Sequence, residues 1–127
     1  MASDQELSTN MSTEGDFSVT FVGGTAAVTK LAGPGVAVSY VSTGIVELTW
    51  SSNETPPGKF IGLKSWGFRA DTPANIKAYT CVAGAYSTTT KKLRINMYDA
   101  SNNLVDLAAL QWLTVTLMFV QEVSVPA

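Results

Sequence analysis

Gln111-Trp-Leu-Thr-Val-Thr-Leu-Met-Phe-Val120 is the stretch on which the fold turns. Leu113, Val115, Leu117 and Phe119 occupy every second position, and Thr114 and Thr116 stand between them. Successive side chains of an extended chain point to opposite faces, so this alternation marks a strand with one buried face and one hydroxylic face. Trp112 begins it.

The same period recurs outward from there. Leu93, Ile95 and Met97 oppose Lys92, Arg94 and Asn96; Val46, Leu48 and Trp50 oppose Glu47 and Thr49. Val36, Val38 and Tyr40 form a third set, and Phe17, Val19 and Phe21 a fourth, facing away from Ser18 and Thr20. Phe60 to Arg69 and Ile76 to Val82 read as less regular strands, the first interrupted by Gly62 and Gly67, which often mark bulges or close backbone approach. Between these runs stand Gly33-Pro-Gly35, Ser42-Thr-Gly44, Asn53-Glu-Thr-Pro-Pro-Gly58, Asp71-Thr-Pro73, Gly84 and Asp99-Ala-Ser-Asn-Asn103, all turn chemistry. The gaps are too short for crossover helices, so an antiparallel meander is expected. An all-β chain follows: a single antiparallel β-sandwich or jelly-roll-like barrel of about 7–8 strands. Single helical turns are expected at Asp106-Leu-Ala-Ala-Leu110, capped by Asp106, and after Asp71 or Thr72 at Pro73.

At 127 residues one domain is expected. Charged residues make up only 14% of the chain, against a usual ~25%, while serine and threonine number 27. The charge is unevenly placed. Residues 1–16 carry Asp4, Glu6, Glu14 and Asp16 with no base, a charge of −4, so the remaining 111 residues sum to +2 and the whole to −2. We therefore divide the chain into an acidic, polar, extended N-terminal arm (1–16) and a β-sandwich domain (17–127). A polar arm of this kind does not bury enough surface to order itself, which makes a neighbouring subunit its expected holder, with packing on its own domain as the alternative.

Several chemistries are struck out by composition. The chain has no histidine, which removes Ser-His-Asp triads and the commonest metal ligand. Cys81 is the single cysteine, so no intrachain disulfide forms, in keeping with a reducing compartment; within Tyr79-Thr-Cys-Val-Ala83 it reads as a buried, inert thiol. No apolar run approaches the ~20 residues of a membrane helix, and Met1-Ala-Ser-Asp-Gln-Glu-Leu7 has acids where a secretion signal carries bases. No membrane partner, cofactor, metal or small-molecule substrate is expected. Asp99, Asp106 and Glu47 are the carboxylates a glycosidase reading would need. Both aspartates have structural jobs, an Asx turn and a helix cap, and the chain is not read as an enzyme.

Two further groups are candidates for partner binding. Lys91-Lys-Leu-Arg94 is the one basic cluster, and Lys92 and Arg94 fall on a polar strand face. They are read as solvated or subunit-facing; nucleic acid would demand a larger patch and a positive chain. Phe60, Trp66 and Phe68 share the even positions of their strand with Lys64 between them. Such a stripe is either a sugar-stacking platform or a second core face or subunit interface, and the second is favoured because no polar set for a sugar is interleaved.

Gly24-Thr-Ala-Ala-Val-Thr-Lys30, Gly35-Val-Ala-Val-Ser-Tyr40, Thr43-Gly-Ile-Val-Glu-Leu-Thr-Trp50, Ala70-Asp-Thr-Pro-Ala-Asn-Ile76 and Asn96-Met-Tyr-Asp-Ala-Ser-Asn-Asn-Leu-Val-Asp-Leu107 precede the closing strand. Over about residues 20–121 this texture resembles small β-sandwich structural proteins of tailed bacteriophages. The resemblance implies a virion component on the capsid surface, assembled in the host cytoplasm: a decoration or cement protein, often a trimer, whose partners are the major capsid protein and sister subunits. It leaves open a tail or head-fibre position for host attachment, and a carbohydrate-binding module using Phe60, Trp66 and Phe68 is the reading from a different class. The candidate partner-binding residues are Asp4, Glu6, Glu14, Asp16, Phe60, Trp66, Phe68, Lys92 and Arg94.

Overall fold

A computed structural model describes residues 10–51, 59–72 and 79–124, with the side chains of 10–15 and 121–124 outside the description. Its described residues form eight strands and no helix: β1 Asn10–Gly24, β2 Ala27–Ala32, β3 Val36–Ser42, β4 Ile45–Trp50, β5 Lys59–Ala70, β6 Thr80–Ala83, β7 Lys92–Tyr98 and β8 Gln111–Ser124. They make two four-stranded sheets, ordered β2-β1-β8-β5 and β3-β4-β7-β6. Every pairing between strands is antiparallel. The all-β sandwich expected from alternation is the fold.

It is a meander only in part. Hairpins join β1 to β2, β3 to β4 and β6 to β7, but β4 pairs with β7, and β8 inserts between β1 and β5. β2, β4, β5 and β7 are each followed in the chain by a strand of the other sheet. β8 is one of the two central strands of its sheet, in keeping with its clean alternation: both neighbours are strands, one face is core, and Leu113, Val115, Leu117 and Phe119 are each 0% exposed.

The core lies between the sheets, where Val19, Phe21, Val46, Leu48, Leu93, Ile95 and Met97 meet that row. Each fully buried Leu, Ile or Phe contributes about 1.5–3 kcal/mol of transfer free energy. Near Gly35 and Lys91, whose backbones bond the end of β4, the core is aromatic. The Trp50 ring lies 5.6 Å from Phe17, 5.6 Å from Tyr86 and 6.1 Å from Phe119, the last two edge-on. Its buried Nε1–H has no acceptor among the described residues, a cost of about 1–3 kcal/mol set against that aromatic packing.

Three local expectations change. β2 carries no alternation because five of its six residues are exposed, so nothing in its sequence announced a strand. Of the strand expected over Ile76 to Val82, residues 76–78 lie outside the described residues, and the observed β6 starts at Thr80. Asp106 caps no helix. Its carboxylate accepts the Gly44 N–H at 2.7 Å and the Tyr40 hydroxyl at 3.1 Å, while Leu110 takes a left-handed φ of 63°, so Asp106 to Leu110 forms a loop pinned to the β3–β4 turn. That turn needs glycine: Gly44 has φ 74°, and a Cβ there would lie 2.7 Å from the Val105 nitrogen. Asp99 is an Asx turn as expected, its Oδ1 accepting the N–H groups of Ser101 and Asn103. The turns expected at Asn53–Gly58 and Pro73 lie outside the described residues.

Candidate functional site

The basic stripe is tied to an acid on the next strand. β4 and β7 pair so that Glu47 stands directly opposite Arg94. Glu47 Oε2 accepts from Arg94 Nε at 3.2 Å, and Oε1 lies 3.5 Å from Lys92 Nζ. The Glu47 side chain is 16% exposed, beneath two cations that are about half exposed. Exposed pairs of this sort contribute ~0.2–1 kcal/mol each, so their main effect is to hold three long side chains together. Sequence reasoning put Glu47 on the polar face but could not match it to Lys92 and Arg94, because they lie 45 and 47 residues further along the chain and their strands are not joined by a hairpin.

The aromatic stripe faces inward. Phe60, Leu63, Trp66 and Phe68 stand opposite Phe119, Leu117, Val115 and Leu113, the buried row of β8. The ladder slips between Phe60 and Gly62 and again between Leu63 and Ser65, and each bulge adds one residue that resets the face. Leu63 therefore joins the aromatics, although odd-numbered. Lys64, expected among them, is expelled to the outside, where its Nζ meets Asp16 at 2.7 Å. Phe60 and Phe68 pack against the core, with rings 5.4 Å from Phe119 and 5.5 Å from Tyr79. Trp66 is the exposed member at 40%, its Nε1 donating to the Tyr79 carbonyl at 3.1 Å.

The acidic segment divides three ways. Asp4 and Glu6 lie outside the described residues. Glu14 belongs to β1, which starts at Asn10 and so runs through the point where the composition changes; from Asn10 onward the expected arm is held by its own β8 and not by a neighbouring subunit, because its backbone completes the ladder of that strand. Asp16, on the same strand, reaches across β8 to Lys64 on β5.

The outer face of this first sheet is a low, hydroxylic surface. Ser18 bonds Thr116 at 3.0 Å and Thr20 bonds Thr114 at 2.8 Å, hydroxyl to hydroxyl. Beside them Gly67 pairs with Thr114 and Ser65 with Thr116, and a Cβ added at Gly67 would meet nothing within 4 Å. At one end the Arg69 guanidinium lies 4.2 Å above the Trp112 ring and 3.0 Å from Asp71. An open cleft of about 560 Å³ is lined by Lys59, Phe60, Ala85, Tyr86 and Thr88.

Titratable groups show the sealing of the interior. Burial pushes the Cys81 thiol up to about 12. Tyr79 is raised by burial and then by the nearby Asp106 carboxylate, and Tyr86 by burial. Among the described residues no group of three or more His, Cys, Asp or Glu side chains is placed to hold a metal ion, and no helix is long and apolar enough to cross a membrane. With this geometry in view the chain is a two-sheet antiparallel β-sandwich. No family model, curated protein or solved structure matches it.

Proposed function

We propose that this protein is a structural component of a tailed-phage virion, a decoration or cement protein that docks on the assembled head shell as a homo-oligomer, a trimer by the resemblance above, and reinforces capsomer contacts. The observation that supports this most is the outer face of the β2-β1-β8-β5 sheet. Hydroxyl pairs Ser18–Thr116 and Thr20–Thr114 lie flat, and Gly62 and Gly67 leave open space above the backbone. Hydroxyls already bonded to one another lose less on desolvation than charges would, so a broad protein partner can cover such a face at low cost. The low charge of the chain, 14%, works in the same direction.

The mechanism is mechanical. A standard interface removes ~800 Å² from each partner, and a subunit contacting two capsomers raises the work of separating them. Asp4, Glu6 and Glu14 meet bases on a neighbour, Asp16 being held by Lys64. Purified protein added to shells that lack it is expected to bind saturably and to raise the temperature at which the shells dissociate. No addition to such shells overturns the reading; attachment to host cells in their place moves the protein to a fibre, and glycan-dependent change in tryptophan fluorescence moves it to a carbohydrate module.

A further inference from the structure

The sheet edges of this molecule are not alike. β5 is an edge strand, and it is blunted by two bulges and by Lys59 and Lys64, the devices that keep an edge from pairing with other chains. β6 has four residues, and the β3 ladder slips between Tyr40 and Ser42. β1 is different. It pairs with β8 without a break from Asn10 to Val22, while on its other side β2 pairs only from Thr20 onward. The link from β2 passes close to Ser18 and Val19 at Gly33. Among the described residues, Asn10 to Phe17 therefore presents a regular backbone edge with no partner strand, no bulge, no proline and no lysine. Eight residues at ~3.3 Å each span ~26 Å, the length of a full added strand. Gly15 sits in this stretch, and strand glycines often mark close approach of another backbone.

We infer that the Asn10–Phe17 edge of β1 is a docking site for an extended, lysine- or arginine-bearing segment of another protein, which adds to the sheet as a further strand beyond β1. The charge of the edge selects the partner. The edge itself holds Glu14 and Asp16 and no base, with Asp4 and Glu6 preceding it in the sequence, and among the described residues Lys64 pairs with Asp16. A second copy of the same edge would bring acidic stretches together, so self-pairing is disfavoured. Backbone bonds supply the affinity and the acids supply the selection. The inference rests on the docking reading above only for where the partner resides.

The test uses the isolated full-length protein. An extended ten-residue peptide alternating lysine and valine is titrated in, with the glutamate–valine peptide as control, and amide hydrogen exchange is followed. The lysine peptide is expected to slow exchange within Asn10–Phe17 while leaving Lys59–Ala70 unchanged, and to bind about 5-fold more weakly to Glu14→Lys or in high salt. Protection at β5, absence of protection, or equal binding of the glutamate peptide overturns the inference. Glu14→Gln, which adds no new charge, should give an intermediate affinity; an affinity equal to the parent's overturns the charge selection. If the peptide protects β1 but the protein ignores shells, the virion reading falls and the edge site stands; shell binding without peptide protection gives the reverse.

Discussion

β8 and β5 lie side by side in one sheet and are built on opposite terms. β8 keeps its register with β1 over thirteen consecutive pairs, and its inward row is completely buried. β5 follows β8 for ten pairs but slips twice, and its inward row of Phe60, Leu63, Trp66 and Phe68 is only partly covered. A central strand is held from both sides, so one extra residue would cost hydrogen bonds on two ladders. An edge strand has one ladder to satisfy and absorbs the extra residue as a bulge. Regularity in this protein thus tracks how many neighbours a strand has, and the irregular strand is the one that can present different side chains outward.

The contrast is broken most sharply by truncating one partner of the Leu63–Leu117 pair at a time. Leu117→Ala, at a site that is 0% exposed, is expected to cost about 3–4 kcal/mol, whereas Leu63→Ala, half covered on β5, should cost about half as much. Equal shifts in urea midpoint would show that β5 is as rigid as β8. Asp106→Ala comes next. It strips the Gly44 N–H and Tyr40 hydroxyl of their shared carboxylate and frees the loop that feeds β8, with an expected loss of about 2 kcal/mol and faster amide exchange at Gly44.

Two glycines should then respond with opposite signs. Gly23 on β1 is crowded: a Cβ there would strike the Ala108 carbonyl oxygen and lie 2.7 Å from that of Leu107, so Gly23→Ala is expected to destabilise by about 1–2 kcal/mol. Gly67 on β5 faces open space, and Gly67→Ala should stabilise by about 0.5 kcal/mol by restricting the unfolded chain.

Cys81 extends the comparison to the edge of the other sheet. β6 is an edge strand, yet its thiol is sealed, raised from 9.0 to about 12. The folded state holds this proton more tightly than the unfolded state, so its contribution is fully present below pH 9 and is lost as pH rises from 9 toward 12. Denaturation midpoints should fall over that window and fall less in Cys81→Ala; Tyr79 and Tyr86, also raised, add to the decline above their ordinary range. The thiol should resist alkylation at pH 8 until the protein unfolds. A small effect also belongs to the bulge residue Lys64, half exposed and 2.7 Å from Asp16. Lys64→Ala should cost ~0.2–1 kcal/mol, a difference that disappears in high salt.

How far these features could be read in advance differs residue by residue. The inward rows of β4, β7 and β8, the turns at Gly44 and Asp99, and the buried Cys81 were legible because each depends on local geometry or on a burial that imposes a period of two. Trp50 was placed on a core face and is 3% exposed. β2 was not legible, since a strand exposed on both faces has no reason to alternate. Of the candidate partner-binding residues, Phe60, Trp66 and Phe68 do share a face, but it is the inner one. Lys92 and Arg94 lie on an outer face, held by an acid that only the β4–β7 pairing brings there.

The sequence by itself determined that the chain is all-β, where most strands run and which side of each is buried, because solvent imposes those choices on a strand one residue at a time. It also set the uneven distribution of charge. Only the tertiary structure decided strand order, the insertion of β8 between β1 and β5, the Glu47–Lys92–Arg94 and Asp16–Lys64 pairings, the role of Asp106, and which edge of which sheet is left open. Those depend on contacts between segments far apart in the chain, and any of several pairings would bury the same apolar rows.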